Sequence, residues 1–237
     1  MVSTSNPIIQ KALAFIDGLR EDEGRTSYYE IVEDDPNEHK VFPQSQYLLY
    51  IMFNQIGQRE LAEKIAQEHD FAEMDTVDPH RKGRPANDSF CVLEGKIEAF
   101  RHAGEKDCEN NDEKTLLAIY WLERKHRLLG WLYRKNAHAL WTKLHAQYDP
   151  TKGVLEMDTA DRKLQLYSVF KVALFGVLAK RMYETDVLAN VRQRLAGWQC
   201  LEGRSAGGWE TDRTIELKAH GYANLETTAL CILALVD

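Results

Sequence analysis

The residues best placed to do chemistry in this chain are carboxylates at helix starts and aromatics in the loops before them. Glu113 and Glu226 each fall in the first turn of an apolar helix, in "NDEKTLLAI" and "NLETTALCI". Asp158 lies in "YDPTKGVLEMDTAD", ahead of a third such helix. If these helix starts face a common funnel, two of the three acids can act as a general acid and base pair. Trp209, Tyr28, Tyr148 and Tyr167 would then line the ligand path. His220 and Asn224, just before the last helix, supply a titratable ring and an amide there. The same types also have structural uses. A carboxylate in a first helical turn caps free N–H groups and meets the helix dipole. Tyr and Trp bury their rings while keeping a polar tip bonded.

One loop raises the question most sharply. "AGGWETD", Ala206 to Asp212, precedes the helix that carries Glu226. Gly207 and Gly208 permit positive φ and close backbone approach. The expectation is that they lay the Trp209 ring over the mouth of a central funnel, with Glu226 beneath it. The alternative is a hydrophobic plug that fixes the helix.

Other chemistries find no support. No zinc signature, P-loop, dinucleotide fingerprint or serine-hydrolase elbow is present. "DDPNE" (Asp34–Glu38) reads as a solvated acidic loop rather than a Mg²⁺ site. No metal site and no cofactor is expected. Net charge is −7, which argues against nucleic acid as a partner. A small-molecule or glycan ligand is expected instead. The four cysteines form no CxxC pair. Cys91 and Cys231 read as core residues and Cys108 as an accessible one. "MVSTSNPIIQKALAFIDGL" lacks the basic region and cleavage site of a secretory signal. No apolar run reaches the ~18–20 residues of a membrane span. A cytoplasmic location is the expectation.

The elements that must position these residues are helices. Apolar periodicity predicts helices from Pro7 to about Arg20, at Gln44–Ile56, Arg59–Glu68, Asp88–His102, Asn111–Tyr133, Asn136–Gln147, Lys163–Met182, Glu184–Gln199 and Ala223–Val236. No segment alternates long enough to predict a sheet. The apolar helices start near Gln44, Asn111, Gln165 and Asn224, about sixty residues apart. Their repeat units are roughly 5–58, 87–133, 136–182 and 184–237, with 59–86 an irregular insert. A helical hairpin of this size cannot bury its inner helix alone, so copies must stack around one another.

"GGWETD…ANLETTALCILAL" resembles the repeats of the α/α-toroid superfamily, which includes terpenoid cyclases, protein prenyltransferases and the complement-type thioester domain. "YDPTKGVLEMD" with its following helix is similar to the loop-helix units of six-hairpin glycosidases. The resemblance implies an all-α fold, an α/α toroid of helical hairpins that is complete or partial. The ring is open, or closed by a partner such as a second copy. The superfamily's chemical motifs do not carry over. The Asp-x-Asp-Asp acid of cyclases is matched only by Asp158-Thr-Ala-Asp161, with Ala160 in its third position. No Asp-x-Cys zinc pair occurs, and "CENN" (Cys108–Asn111) is not a thioester motif. What remains is a toroid with a ligand site in its funnel, a glycan hydrolase or lyase using Glu226, Glu113 and Asp158. The alternatives are a catalytically inert toroid that binds a protein or an extended apolar ligand, and a terpenoid-cyclase-like protein without the standard catalytic motif.

Overall fold

A computed structural model describes residues 6–20, 26–31, 39–69, 71, 90–94, 108–124 and 130–237. The chain is mostly helical. Its α-helices are α1 (Pro7–Asp17), α2 (Pro43–Gln55), α3 (Arg59–Glu68), α4 (Asn111–Glu123), α5 (Gly130–Ala146), α6 (Thr159–Leu164), α7 (Val169–Arg181), α8 (Thr185–Trp198) and α9 (Leu225–Leu235). A short 3-10 helix spans Phe90–Glu94. The acidic loop Asp34–Glu38, and the expected helix Asp88–His102 beyond that 3-10 helix, lie outside the described residues. No helix among the described residues is long and apolar enough to cross a membrane.

Two kinds of helix are present, and their burial follows their composition. Helix α9, "LETTALCILAL", is buried around nearly its whole circumference, as are the central turns of α2, α4 and α7. A helix apolar on every side is stable in water only when other elements surround it. The remaining long helices bury one stripe each. In α1 the stripe is Ile9, Ala12, Phe15 and Ile16; in α5 it is Ala137, Leu140, Trp141 and Leu144. That spacing is one face of a 3.6-residue helix. Helix α9 packs between α2 and α7, and α7 packs against α4. Helices α1, α3, α5 and α8 lie against α9, α2, α4 and α7 respectively. The 3-10 helix touches both α4 and α2.

Ion pairs fix the relative direction of α4 and α7. Lys171, in the first turn of α7, meets Asp112 in the first turn of α4. Arg181, the last residue of α7, meets Glu123, the last of α4, at 3.2 Å. Contacts between like ends require the two helices to run parallel. At the far end of α9, Arg192 Nε donates to the Ala234 carbonyl, and Arg192 and Lys180 both donate to that of Val236. Cationic side chains thus occupy the carbonyls that a helix leaves unpaired at its C-terminus.

The structure corrects four expectations. Small sheets are present. β1 (Glu30–Ile31) pairs with β2 (His39–Lys40), and β3 (Tyr148–Asp149) with β4 (Val154–Leu155). β5 (Leu166–Ser168), β6 (Glu210–Thr214) and β7 (Ala219–Ala223) form a three-stranded antiparallel sheet. Strands this short carry too few alternations to register as period two. The helix expected over Lys163–Met182 is interrupted, because Gln165 adopts φ 58° and sends Leu166–Ser168 into the sheet. The helix expected over Asn111–Tyr133 ends at Glu123, and α5 starts at Gly130. Cys108, expected to be accessible, is buried.

Candidate functional site

A cluster of buried charges sits where the first turns of α4, α6 and α7 converge. Helix α7 reads "VFKVALFGVLAKR", and Lys171 is its single charge before the last turn. A lysine on a helix surrounded by core must find carboxylates, because desolvating an unpaired ammonium is prohibitive. Lys171 finds three. Its Nζ donates to Asp158 Oδ2 at 2.6 Å and to Asp161 Oδ1 at 2.8 Å, and lies 4.0 Å from Asp112 Oδ1.

Each acid has a local reason to be there. Asp158 precedes α6, and its Oδ1 accepts from the Asp161 backbone at 3.3 Å. Its Oδ2 also accepts from the Asn111 backbone N–H at the start of α4. Asp158 therefore serves two helix starts and Lys171 together. The Asn111 side chain ties α4 to the same loop by donating to the Glu156 carbonyl at 3.0 Å. Asp112, in the first turn of α4, is buried, and its Oδ1 accepts no hydrogen bond.

This unequal sharing separates the titrations. Burial pushes Asp112 up to about 6, against the opposing pull of Lys171. Burial would raise Asp158 as well, but the Lys171 and backbone hydrogen bonds outweigh it and hold Asp158 below the usual carboxylate range. Burial raises Asp161 despite its Lys171 bond. Lys171 is depressed by burial, but its bonds to Asp158 and Asp161 more than offset this and raise it. Acids held apart in this way, with one ionised and one titrating near neutrality, are the usual arrangement of proton-transfer sites.

A polar cleft of about 180 Å³ opens beside Asp158. Asn111, Gln147, Glu156, Thr159 and Arg162 line it together with Asp158. Hydroxyl-rich ligands suit such a wall, which offers donors and acceptors and little apolar surface.

The residues singled out in the sequence divide unevenly. Asp158 and Glu113 both reach this region. Glu113 works there as a cap, its Oε2 accepting from the backbones of Glu109 and Asn110 at 2.6 and 3.0 Å. Glu226 stands in the first turn of α9, and Asn224 caps that helix by accepting from Thr227 N–H at 2.8 Å. His220 is exposed on β7, opposite Asp212, and Tyr167 lies on β5 opposite Arg213.

Three aromatics expected at a ligand path are core residues instead. Trp209 is 0% exposed, and its indole N–H donates to the Leu195 carbonyl at 2.6 Å. Tyr28 is buried against Phe53, with both its backbone groups bonded to the Gln46 side chain. Tyr148 packs on Phe175 and donates its hydroxyl to Asn190. The glycines before Trp209 explain its position. A Cβ on Gly207, at φ 92°, would stand 2.3 Å from the Lys11 carbonyl oxygen. A Cβ on Gly208 would stand 2.8 Å from Phe15 and from Ala223. They press the loop against α1 and β7 and drive the ring inward. Gln199 completes the seam, donating to the carbonyls of Ile8 and Gly207.

Asp112 and Lys171 are the members that motif reading missed. A signal existed in the lone lysine of an otherwise apolar helix. Among the described residues, no group of three or more His, Cys, Asp and Glu side chains is placed to hold a metal ion. No protein-family model, no curated protein and no solved structure matches this chain.

Proposed function

We propose that the chain is an α/α toroid that binds a hydroxyl-rich ligand at the first turns of α4 and α7. In this reading it is a carbohydrate-active hydrolase or lyase with Asp158 as its catalytic carboxylate. The toroid reading is supported by the order of helix contacts. Helices α2, α9, α7 and α4 follow one another as buried neighbours, each with a one-sided helix outside it. The 3-10 helix joins α4 back to α2.

One observation carries the functional reading: Asp158 lines a polar cleft while sharing Lys171 with a second acid that titrates near neutrality. Held ionised, Asp158 is suited to stabilise developing positive charge on a sugar ring. Asp112 does not line the cleft and acts through Lys171. As Asp112 ionises, Lys171 shares its charge between more acids, and the basicity of Asp158 rises. Asp112 is thus a positioning residue, visible in a pH profile rather than in binding.

The test is an activity screen. Reducing ends and unsaturated products are measured across a panel of neutral and acidic polysaccharides. Asp158→Asn is expected to reduce turnover at least ~100-fold on any substrate found. Asp112→Asn is expected to keep activity and to flatten the pH dependence around 6. Full activity in a folded Asp158→Asn protein refutes the assignment. The inert binding reading has support in the burial of Trp209, Tyr28 and Tyr148, which removes three stacking platforms. No turnover of any panel polysaccharide, together with binding of an extended apolar ligand, favours it.

A further inference from the structure

A second cleft, at the opposite ends of the same helices, has a different chemistry. It is an open groove of about 720 Å³ between the last turns of α4 and α7 and the outer helix α5. Cavities of this size hold drug-sized ligands. Leu122, Glu123, Arg134, Lys180, Arg181 and Tyr183 line it.

Charge is unbalanced there. Glu123 pairs with Arg181. Arg134 is exposed and has no ion-pair partner among the described residues. Among the described residues, the Lys180 ammonium bonds the Val236 carbonyl alone. Burial, and then the neighbouring Arg192 and Arg181, push Lys180 below the usual lysine range against the smaller pull of Asp237. The C-terminal dipoles of α4 and α7 offset part of the excess, by roughly half a charge each. Arg192 pairs with Asp237, so the lining cations Arg134, Lys180 and Arg181 stand against Glu123 and two half-charges, an excess of about one positive charge.

Tyr183 breaks a local rule beside this charge. It follows the C-cap of α7 in a Schellman arrangement, with Glu184 N–H on the Ala179 carbonyl and Tyr183 N–H on that of Lys180. The position requires a left-handed backbone, and glycine is the residue that fits it. Here a tyrosine adopts φ 60°, and the side chain is 88% exposed. Packing does not account for the ring, because little covers it. A strained residue with an exposed ring at a cleft rim is a feature to be explained by a ligand.

We propose that this cleft binds a small planar molecule carrying a phosphate or carboxylate, with Tyr183 stacking on the planar part and Arg134 and Lys180 holding the anion. The inference is independent of the Asp158 site.

Adenosine 5′-monophosphate, adenosine and inorganic phosphate are titrated separately into the full chain by calorimetry at low salt. The monophosphate is expected to bind at least ~10-fold more tightly than either part, because each part makes half of the contacts. Arg134→Gln is expected to weaken it about tenfold by removing a charge-assisted contact. Tyr183→Gly is expected to weaken it about tenfold while raising Tm by about 2–4 °C, since glycine relieves the left-handed strain. No binding of the monophosphate at millimolar concentration overturns the proposal. Equal binding of phosphate and monophosphate, or unchanged binding in Tyr183→Gly, overturns the stacking role. Binding unchanged in Arg134→Gln overturns the anion site.

Discussion

Replacing Asp112 with asparagine should make the protein more stable, and only above a certain pH. The carboxyl titrates at about 6 in the fold against an ordinary value of 3.8. The folded protein therefore holds a proton that the unfolded chain has already released. Stability from that difference is fully present below pH 3.8 and is lost as pH rises through 6. Two units correspond to about 3 kcal/mol, as an upper bound. Above pH 6 the wild type carries this full penalty of a buried charge, while asparagine carries none. The attraction of Lys171 at 4.0 Å is already contained in the net shift, so its loss is not subtracted again. The new amide protons need acceptors, which lowers the gain to about 1–2 kcal/mol if they find none. Asp112→Asn is thus expected to melt higher than wild type at pH 8, by about 2–4 °C per kcal/mol. The two proteins should converge near pH 4. Parallel melting curves against pH, or a variant less stable at pH 8, would refute the idea that Asp112 is a strained buried acid.

Three further substitutions test the frame around the site. Lys171→Met leaves Asp158, Asp161 and Asp112 without their shared ammonium and should cost about 3–5 kcal/mol at pH 8 in chemical denaturation. That loss should shrink toward pH 5 as the acids take up protons, so a pH-independent loss would point to packing alone. Trp209→Ala should cost about 3–5 kcal/mol, because it empties a fully buried site and strands the Leu195 carbonyl. A cost near zero would mean the ring sits outside the core. Leu230→Ala, in the middle of α9, should cost about 2–5 kcal/mol by thermal or urea unfolding. A loss below about 0.5 kcal/mol would place α9 at the surface.

Much of the helical frame was legible in the sequence because burial on all sides leaves a compositional mark. "LETTALCILAL" and "VFKVALFGVLA" have no polar face, so each had to be surrounded, and each is. Helix α3 was legible to the residue, since its one-sided pattern is bounded by Gly57 and His69. What remained hidden depends on contacts distant in sequence. The strand at Leu166–Ser168 exists only because β6, more than forty residues later, pairs with it. Trp209 reads alike as a platform or a plug, and the neighbour that decides is Lys11, whose carbonyl admits only a glycine at 207. Glu113 and Asp112 are adjacent and chemically alike. One bonds backbone N–H groups and the other is turned toward Lys171, which no local pattern distinguishes.

The placement of charge also bears on why this arrangement of helices is stable. Helices α4 and α7 run parallel, so their dipoles lie side by side with like ends together, an unfavourable alignment. Charge at each end offsets it. Asp112, Glu113, Asp158 and Asp161 gather where the N-termini of α4, α6 and α7 carry partial positive charge. Lys180, Arg181 and Arg192 gather where the C-termini of α7 and α9 carry partial negative charge. Each set exceeds what the dipoles need. At the N-terminal end the excess is negative, and Lys171 absorbs part of it, joined below pH 6 by the proton of Asp112. At the C-terminal end the excess is positive, and Glu123 on Arg181 and Asp237 on Arg192 meet part of it. The two clefts therefore follow from one structural requirement, and ligands of opposite charge preference should be separable on a single molecule. On the two proposals, neutral or cationic sugars are expected beside Asp158 and anions beside Lys180.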